Sequence, residues 1–164
     1  MQNHDTRQED LSMGAWVRLQ RASTAVLERV EARLKAAGFP PLSWYDVLLE
    51  LRRAEDRSLR PVEIERHTLL AQYNVSRLID RIAAAGYADK KKSPEDGRGI
   101  KVCLTRKGET LLEEMWPVYR EAVQREFAEH LSDSDMKTIS SILKKLVSQS
   151  VKWKDEDKVI GAHR

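Results

Sequence analysis

Between residues 61 and 105 the apolar residues change their period, and few folds accept such a change in so short a stretch. Val75, Leu78, Ile79 and Ile82 recur at i, i+3, i+4 and i+7, the spacing that gathers side chains on one face of a helix. Gly86 follows, suited to the left-handed position just past a helix end. Tyr87–Lys92 then reads as extended, and Ser93-Pro94-Glu95-Asp96-Gly97 as a turn with an Asp-Gly step. Ile100, Val102 and Leu104 alternate with Lys101, Cys103 and Thr105, the period of a half-buried strand. Upstream, Pro61 can open a short helix over about 61–67, because proline is well tolerated at a first helical position. Two short helices with a tight connection, followed directly by a β-hairpin, give the order of a winged helix-turn-helix.

The flanks are helical. From about Leu11 to Ala37 the residues Trp16, Leu19, Val26, Val30, Leu34 and Ala37 keep helical spacing, and Gly38-Phe39-Pro40-Pro41 stops the run. Residues 1–10 read as a loose tail. A second helix is expected to begin with Ser43 as N-cap and Asp46 three residues on, with Leu42 and Val47 as a hydrophobic staple. It should run to about Ala54 with Val47, Leu48 and Leu51 inward. A long helix is predicted from Thr105 to about His130 through Leu112, Met115, Tyr119, Val123 and Phe127, bent by Pro117 inside it. Ser132-Asp133-Ser134-Asp135 marks a new start, and Ile139, Ile142, Leu143 and Leu146 line one face of a last helix. The fold class is therefore mainly α, an α+β winged helix-turn-helix of about six helices and a hairpin wing. At 164 residues the chain reads as one folding unit. Residues 1–37 and 105–164 form a helical frame around the winged part, 38–104.

Composition closes several other routes. One cysteine, Cys103, excludes a disulfide framework and a multi-cysteine zinc site, and fits a reducing compartment. No apolar run approaches the roughly 18–20 residues that cross a bilayer. The polar start MQNHDTRQED has no signal-peptide core, so a cytoplasmic protein is expected. The four histidines lack ligand spacing, and no nucleophile or acid–base pair stands out. The chain reads as a non-enzyme with no metal and no cofactor.

The net charge of +3 becomes informative when it is placed along the chain. Residues 1–60 carry 10 Lys/Arg against 9 Asp/Glu, residues 61–107 carry 10 against 6, and residues 108–164 carry 9 against 11. The excess thus lies in the winged segment, a footprint for a polyanion. Phosphate contacts supply affinity and base-edge contacts supply specificity, and a helix fits the major groove. Opposite its apolar stripe, the second short helix would present Gln72, Tyr73, Asn74, Ser76, Arg77 and Arg81. Asn and Arg bond bidentately to adenine and guanine edges. The hairpin carries Lys90, Lys91, Lys92 and Arg98, and a guanidinium at a loop tip suits a narrow, electronegative minor groove. Asp96 is placed to brace Arg98.

The run Asp96-Gly97-Arg98-Gly99-Ile100-Lys101-Val102-Cys103-Leu104-Thr105 resembles the D-x-R and V-x-L-T pattern of the MarR family of bacterial transcription regulators. Val75-Ser76-Arg77-Leu78-Ile79-Asp80-Arg81 and Ala85-Gly86-Tyr87 resemble that family's recognition helix and its end. The turn before it, His67 to Asn74, departs from the commoner small-polar stretch. The resemblance spans about residues 11–150. It implies an intertwined homodimer built from the first and last two helices, binding double-stranded DNA as a regulator, most simply a repressor. Two-fold symmetry then gives a pseudopalindromic site with half-sites roughly 10 bp apart. It also implies release by a small aromatic effector held between the frame and the winged part, with Trp16, Arg18, Trp44, Asp46 and Trp116 as candidates. Aromatic walls and an arginine suit an aromatic acid. The rival reading is a winged helix used for protein interaction without DNA, which the basic hairpin disfavours.

Overall fold

The computed structural model describes residues 2–68, 75–92 and 99–147, with side chains from residue 7 onward in the first helix. That helix, α1, spans Gln2–Ala36. It begins nine residues before the apolar stripe, correcting the loose tail expected there. The stretch QNHDTRQEDL holds no Gly or Pro, so nothing in it interrupts helical backbone. Gly38 ends the helix at φ 83°. Its N–H donates to the Lys35 carbonyl and that of Phe39 to the Leu34 carbonyl, both at 3.0 Å, the paired bonds of a left-handed cap.

Helix α2 spans Leu42–Arg53 and starts one residue earlier than expected. Ser43 lies inside it and caps nothing, and Asp46 is not part of a capping box. Pro41 enters in extended geometry with no side-chain cap. Glu31 of α1 takes that role, its Oε1 accepting from the Leu42 N–H at 3.0 Å. The early start places Leu42 in the core, where it is buried with Tyr45, Val47, Leu48, Leu49 and Leu51.

A two-residue strand, β1 (Ser58–Leu59), follows a turn in which Arg57 sits at φ 53°. The sequence reading left this strand out; two residues are too few to show alternation. Next come α3 (Pro61–His67), α4 (Val75–Ala84), β2 (Ala88–Lys92) and β3 (Ile100–Leu104). Pro61 stands in the first turn of α3 as expected, and Glu63 Oε2 accepts from the Arg60 N–H at 2.7 Å. The antiparallel sheet has the order β1-β3-β2, with Leu59 opposite Val102 and Lys91 opposite Lys101. Val102, wholly buried, fastens the sheet to the core.

Helix α5 spans Arg106–Glu126 and continues through Pro117, with a 3-10 turn at Ala128–His130 after it. Helix α6 spans Asp133–Val147. Ser132 and Asp135 cap it reciprocally: Asp135 N–H donates to Ser132 Oγ at 3.2 Å and Ser132 N–H to Asp135 Oδ2 at 3.0 Å. The buried core lies mainly in α2, α4 and α5. Among the described side chains, only Val30 and Leu34 of α1 are buried, and none of α6 is. None of the described helices is long and apolar enough to cross a membrane.

Candidate nucleic-acid interface

Helix α4 is built for two environments. Val75, Ile79 and Ile82 are buried and Leu78 is half-buried, while Ser76, Arg77, Asp80 and Arg81 are exposed on the other side. The apolar stripe therefore fixes which face is offered to a partner. Ser76 and Arg77 lie on the exposed face opposite the stripe, where the sequence placed them. Arg81 also reaches back: its guanidinium lies 5.9 Å from the centroid of the Trp44 ring, a cation–π distance. Gln72, Tyr73 and Asn74, assigned to the same face, lie outside the described residues, as do Asp96 and Arg98 of the hairpin tip.

The wing stands beside this helix. In β2, Ala88 is buried and Asp89, Lys90, Lys91 and Lys92 are exposed. Lys90 forms an ion pair with Asp80, tying the strand to the outer face of α4. Between exposed groups such a pair adds little stability; its effect is positional, and a phosphate could compete with Asp80 for the ammonium. On the neighbouring strand Lys101 pairs with Asp56 Oδ2 at 3.1 Å. Hydrogen bonds from Ser58 and Lys101 hold the Asp56 carboxyl down at about 2. Lys91 thus faces outward beside a lysine whose charge is already answered.

The far end of α4 is closed by residues that sequence reasoning passed over. Gly86, at φ 81°, completes the expected cap, with its N–H on the Ala83 carbonyl and that of Tyr87 on the Ile82 carbonyl. Thr105 and Lys107 then occupy carbonyls that this cap leaves open. Thr105 Oγ1 donates to the Gly86 carbonyl at 2.8 Å, and Lys107 Nζ to the Ala85 carbonyl at 2.8 Å. Thr105 was visible as the last residue of V-x-L-T; its second neighbour Lys107 carried no pattern to single it out.

The five effector candidates do not form one group. Trp16 is exposed on α1. Arg18 lines a cavity of about 800 Å³ bounded by α1, α5, the 3-10 turn and α6, with Leu19, Val26, Tyr119, Phe127 and Ile139. Trp16, Trp44, Asp46 and Trp116 do not line it. Trp44 packs edge-on against Tyr87 with centroids 5.8 Å apart, and its indole N–H is buried with no hydrogen-bond partner among the described residues. Trp116 meets Tyr119, and Tyr119 meets Tyr45, also edge-on, at 6.2 and 5.4 Å. Asp46 lies near this aromatic group. Its carboxyl is pushed up to about 7, first by burial, then by Glu50 and Glu31, with Arg53 opposing. Burial, then Asp46, raises the Tyr119 phenol as well.

Comparison with known proteins agrees with this geometry. A family model described as the MarR family matches residues 37–99. The chain is 25% identical over 137 residues to the transcriptional repressor MprA of Escherichia coli, covering 84% of this chain and 77% of that one. Among solved structures it resembles Sco3205, a MarR family regulator from Streptomyces coelicolor in complex with DNA. That match has a TM-score of 0.74 at 21% identity, over 87% of this chain and 88% of the other. It also resembles BpsR of Bordetella bronchiseptica, whose DNA binding is regulated by 6-hydroxynicotinic acid. Here the TM-score is 0.69 at 25% identity, over 78% and 89%.

Proposed function

We propose that this chain is a winged-helix transcription regulator of the MarR family, whose model matches residues 37–99, and that it is a repressor that binds a pseudopalindromic operator as a homodimer. The observation that carries the reading is the outer face of α4, where Ser76 and Arg77 are exposed beside a wing strand of three exposed lysines. Arg77, Ser76 and the preceding Gln72, Tyr73 and Asn74 read the major groove. Lys91 contacts phosphate, and Arg98, braced by Asp96, enters the minor groove. Arg81 contributes from the same face, steadied by Trp44. Residues 38–104 form the DNA-binding part and residues 1–37 with 105–164 the dimerisation part.

Exposed apolar surface supports the homodimer. Ile142 and Leu146 on α6 are 52% and 60% exposed, and Trp16 on α1 is 55% exposed. With the cavity that Ile142 borders, they leave apolar surface that a second copy would cover. A small aromatic effector is proposed to release the DNA; because the candidates Trp16, Arg18, Trp44, Asp46 and Trp116 do not meet at one place, it is held either in the Arg18 cavity or beside Asp46. The charges divide these residues. Asp46, with Glu31 and Glu50 close by, repels a carboxylate and suits a phenolic hydroxyl, whereas Arg18 suits the carboxylate of an aromatic acid.

A gel-shift titration tests the DNA reading, using a duplex that the protein selects from a random-sequence pool. Arg98→Ala should weaken binding at least about tenfold with the melting temperature unchanged. Affinity should fall steeply with salt, with a log–log slope of about −0.9 for each phosphate neutralised. A flat salt response, or no selected duplex at all, favours the protein-interaction reading instead.

A further inference from the structure

The start of α5 grips the end of α4 more closely than chain connectivity requires. Thr105 Oγ1 works in two directions, donating to the Gly86 carbonyl and accepting from the Gly108 N–H at 3.1 Å as the N-cap of α5. The Thr105 N–H donates to the Tyr87 carbonyl at 3.3 Å. Gly108 allows the approach: a Cβ there would lie 2.1 Å from the Tyr87 carbonyl oxygen and 2.8 Å from Leu104 Cδ1. Lys107 closes the joint, with its ammonium on the Ala85 carbonyl and 4.6 Å from the centroid of the Tyr87 ring. A cation at that point faces the negative end of the α4 dipole and the electron-rich face of a phenol ring together.

From this joint α5 runs 21 residues, about 30 Å, to Glu126. There the carboxylate accepts from Arg29 and Arg33 of α1. One continuous helix thus connects the end of the recognition helix to α1 of the frame. We propose that Lys107, seated on Ala85 and Tyr87, is a positioning residue that sets the angle of the recognition helix against α5 and so fixes the half-site spacing the dimer accepts. Lys107 touches no base in this role. The inference rests on the DNA-binding reading and adds to it the place where spacing is set.

The test uses the full-length protein, the duplex selected by the wild type, and copies with one or two base pairs inserted between the half-sites. The wild type should lose affinity at least about twentyfold on a single insertion, since half-site separation is fixed by dimer geometry. Lys107→Met keeps the unbranched stem to within one atom and removes the charge. It should bind the selected duplex about tenfold more weakly, the loss of a dipole and a cation–π contact. It should then lose less than about threefold more on the inserted duplexes, with an unchanged salt slope. Lys107→Arg, which can remake both contacts, should restore the sharp spacing profile. Gly108→Ala, forcing the joint open, should flatten it as Lys107→Met does.

Three results overturn the inference. One is a Lys107→Met protein with the wild-type spacing profile. Another is a salt slope shallower by about one with the profile kept, which makes Lys107 a phosphate ligand. The third is an equal loss on every duplex with a lowered melting temperature, which makes its role purely structural. If the wild type selects no duplex, the DNA-binding reading itself fails and takes this inference with it; in the other three cases that reading stands.

Discussion

Helices α4 and α6 carry the same stripe, four apolar residues at i, i+3, i+4 and i+7. In α4, Val75, Ile79 and Ile82 are buried by the chain itself; in α6, Ile139, Ile142, Leu143 and Leu146 include no buried residue. The periodicity is identical, so the difference lies in what surrounds the stripe. Helix α4 faces α2, α3 and β2, a small body closed by Val102 and Leu48. Helix α6 stands over a cavity whose other walls, α1 and α5, are themselves partly exposed. A stripe specifies a face and requires a cover, but the cover can come from another molecule. The winged body finds its cover within one chain; the frame, on the reading proposed above, finds it in the second copy.

Three experiments break or sharpen that contrast. Leu48→Ala in the body removes a fully buried side chain and should cost about 2–5 kcal/mol. Seen as a fall in melting temperature, the loss should be the same at every protein concentration. The double variant Ile142→Glu with Leu146→Glu should instead raise the dimer dissociation constant at least about a hundredfold, about 2.7 kcal/mol. Sedimentation checks it, and the core of the body should keep its near-ultraviolet signal. A double variant that dimerises like the wild type would erase the contrast.

The smallest effect sits where the two regions meet. Asp46 is near 3.9 in an unfolded chain and about 7 in the fold. Between these values the folded chain holds a proton that the unfolded chain lacks. Stability should therefore fall as pH rises from about 4 to about 7. Asp46→Asn should flatten that slope and add about 1–2 kcal/mol above pH 7, solvent at a partly exposed group screening the rest. Denaturant titrations of both proteins across that window decide it. Glu126 and Asp135 act in the opposite sense at lower pH. Their carboxyls are held below the ordinary range, chiefly by hydrogen bonds from Arg33 and Ser132, so their contributions are lost as the solution acidifies through those values.

Elements that repeat a period were legible in the sequence. The α4 stripe, Gly86 as its cap, the two wing strands, Pro61 at the head of α3 and the Ser132–Asp135 start of α6 all follow local rules. What was not legible depends on contacts distant in sequence. Ser43 looked like an N-cap because its own neighbours fit one, yet Glu31, eleven residues before Leu42, supplies the acceptor. The α1 start was missed because a polar helix with no apolar stripe has no periodic signal. Of the DNA-facing candidates, Ser76, Arg77, Arg81 and Lys91 occupy exposed positions as placed. The Asp80–Lys90 pair and the Lys107 contacts arise only when two elements are brought together. The effector candidates were chosen for their chemistry, and chemistry alone did not reveal that Arg18 and Asp46 lie in separate places.

Among the described residues, the sheet order β1-β3-β2 leaves β2 as an outer strand with one side unpaired. Such an edge offers a row of free backbone donors and acceptors on which another molecule's strand can assemble. Here that edge carries Lys90, Lys91 and Lys92 in succession, all exposed. A second wing approaching it would bring three ammonium groups of its own. The charges that suit the strand to a polyanion therefore also keep one wing from stacking on the next, and a wing neutralised by substitution would be exposed to aggregation as well as poor in DNA affinity.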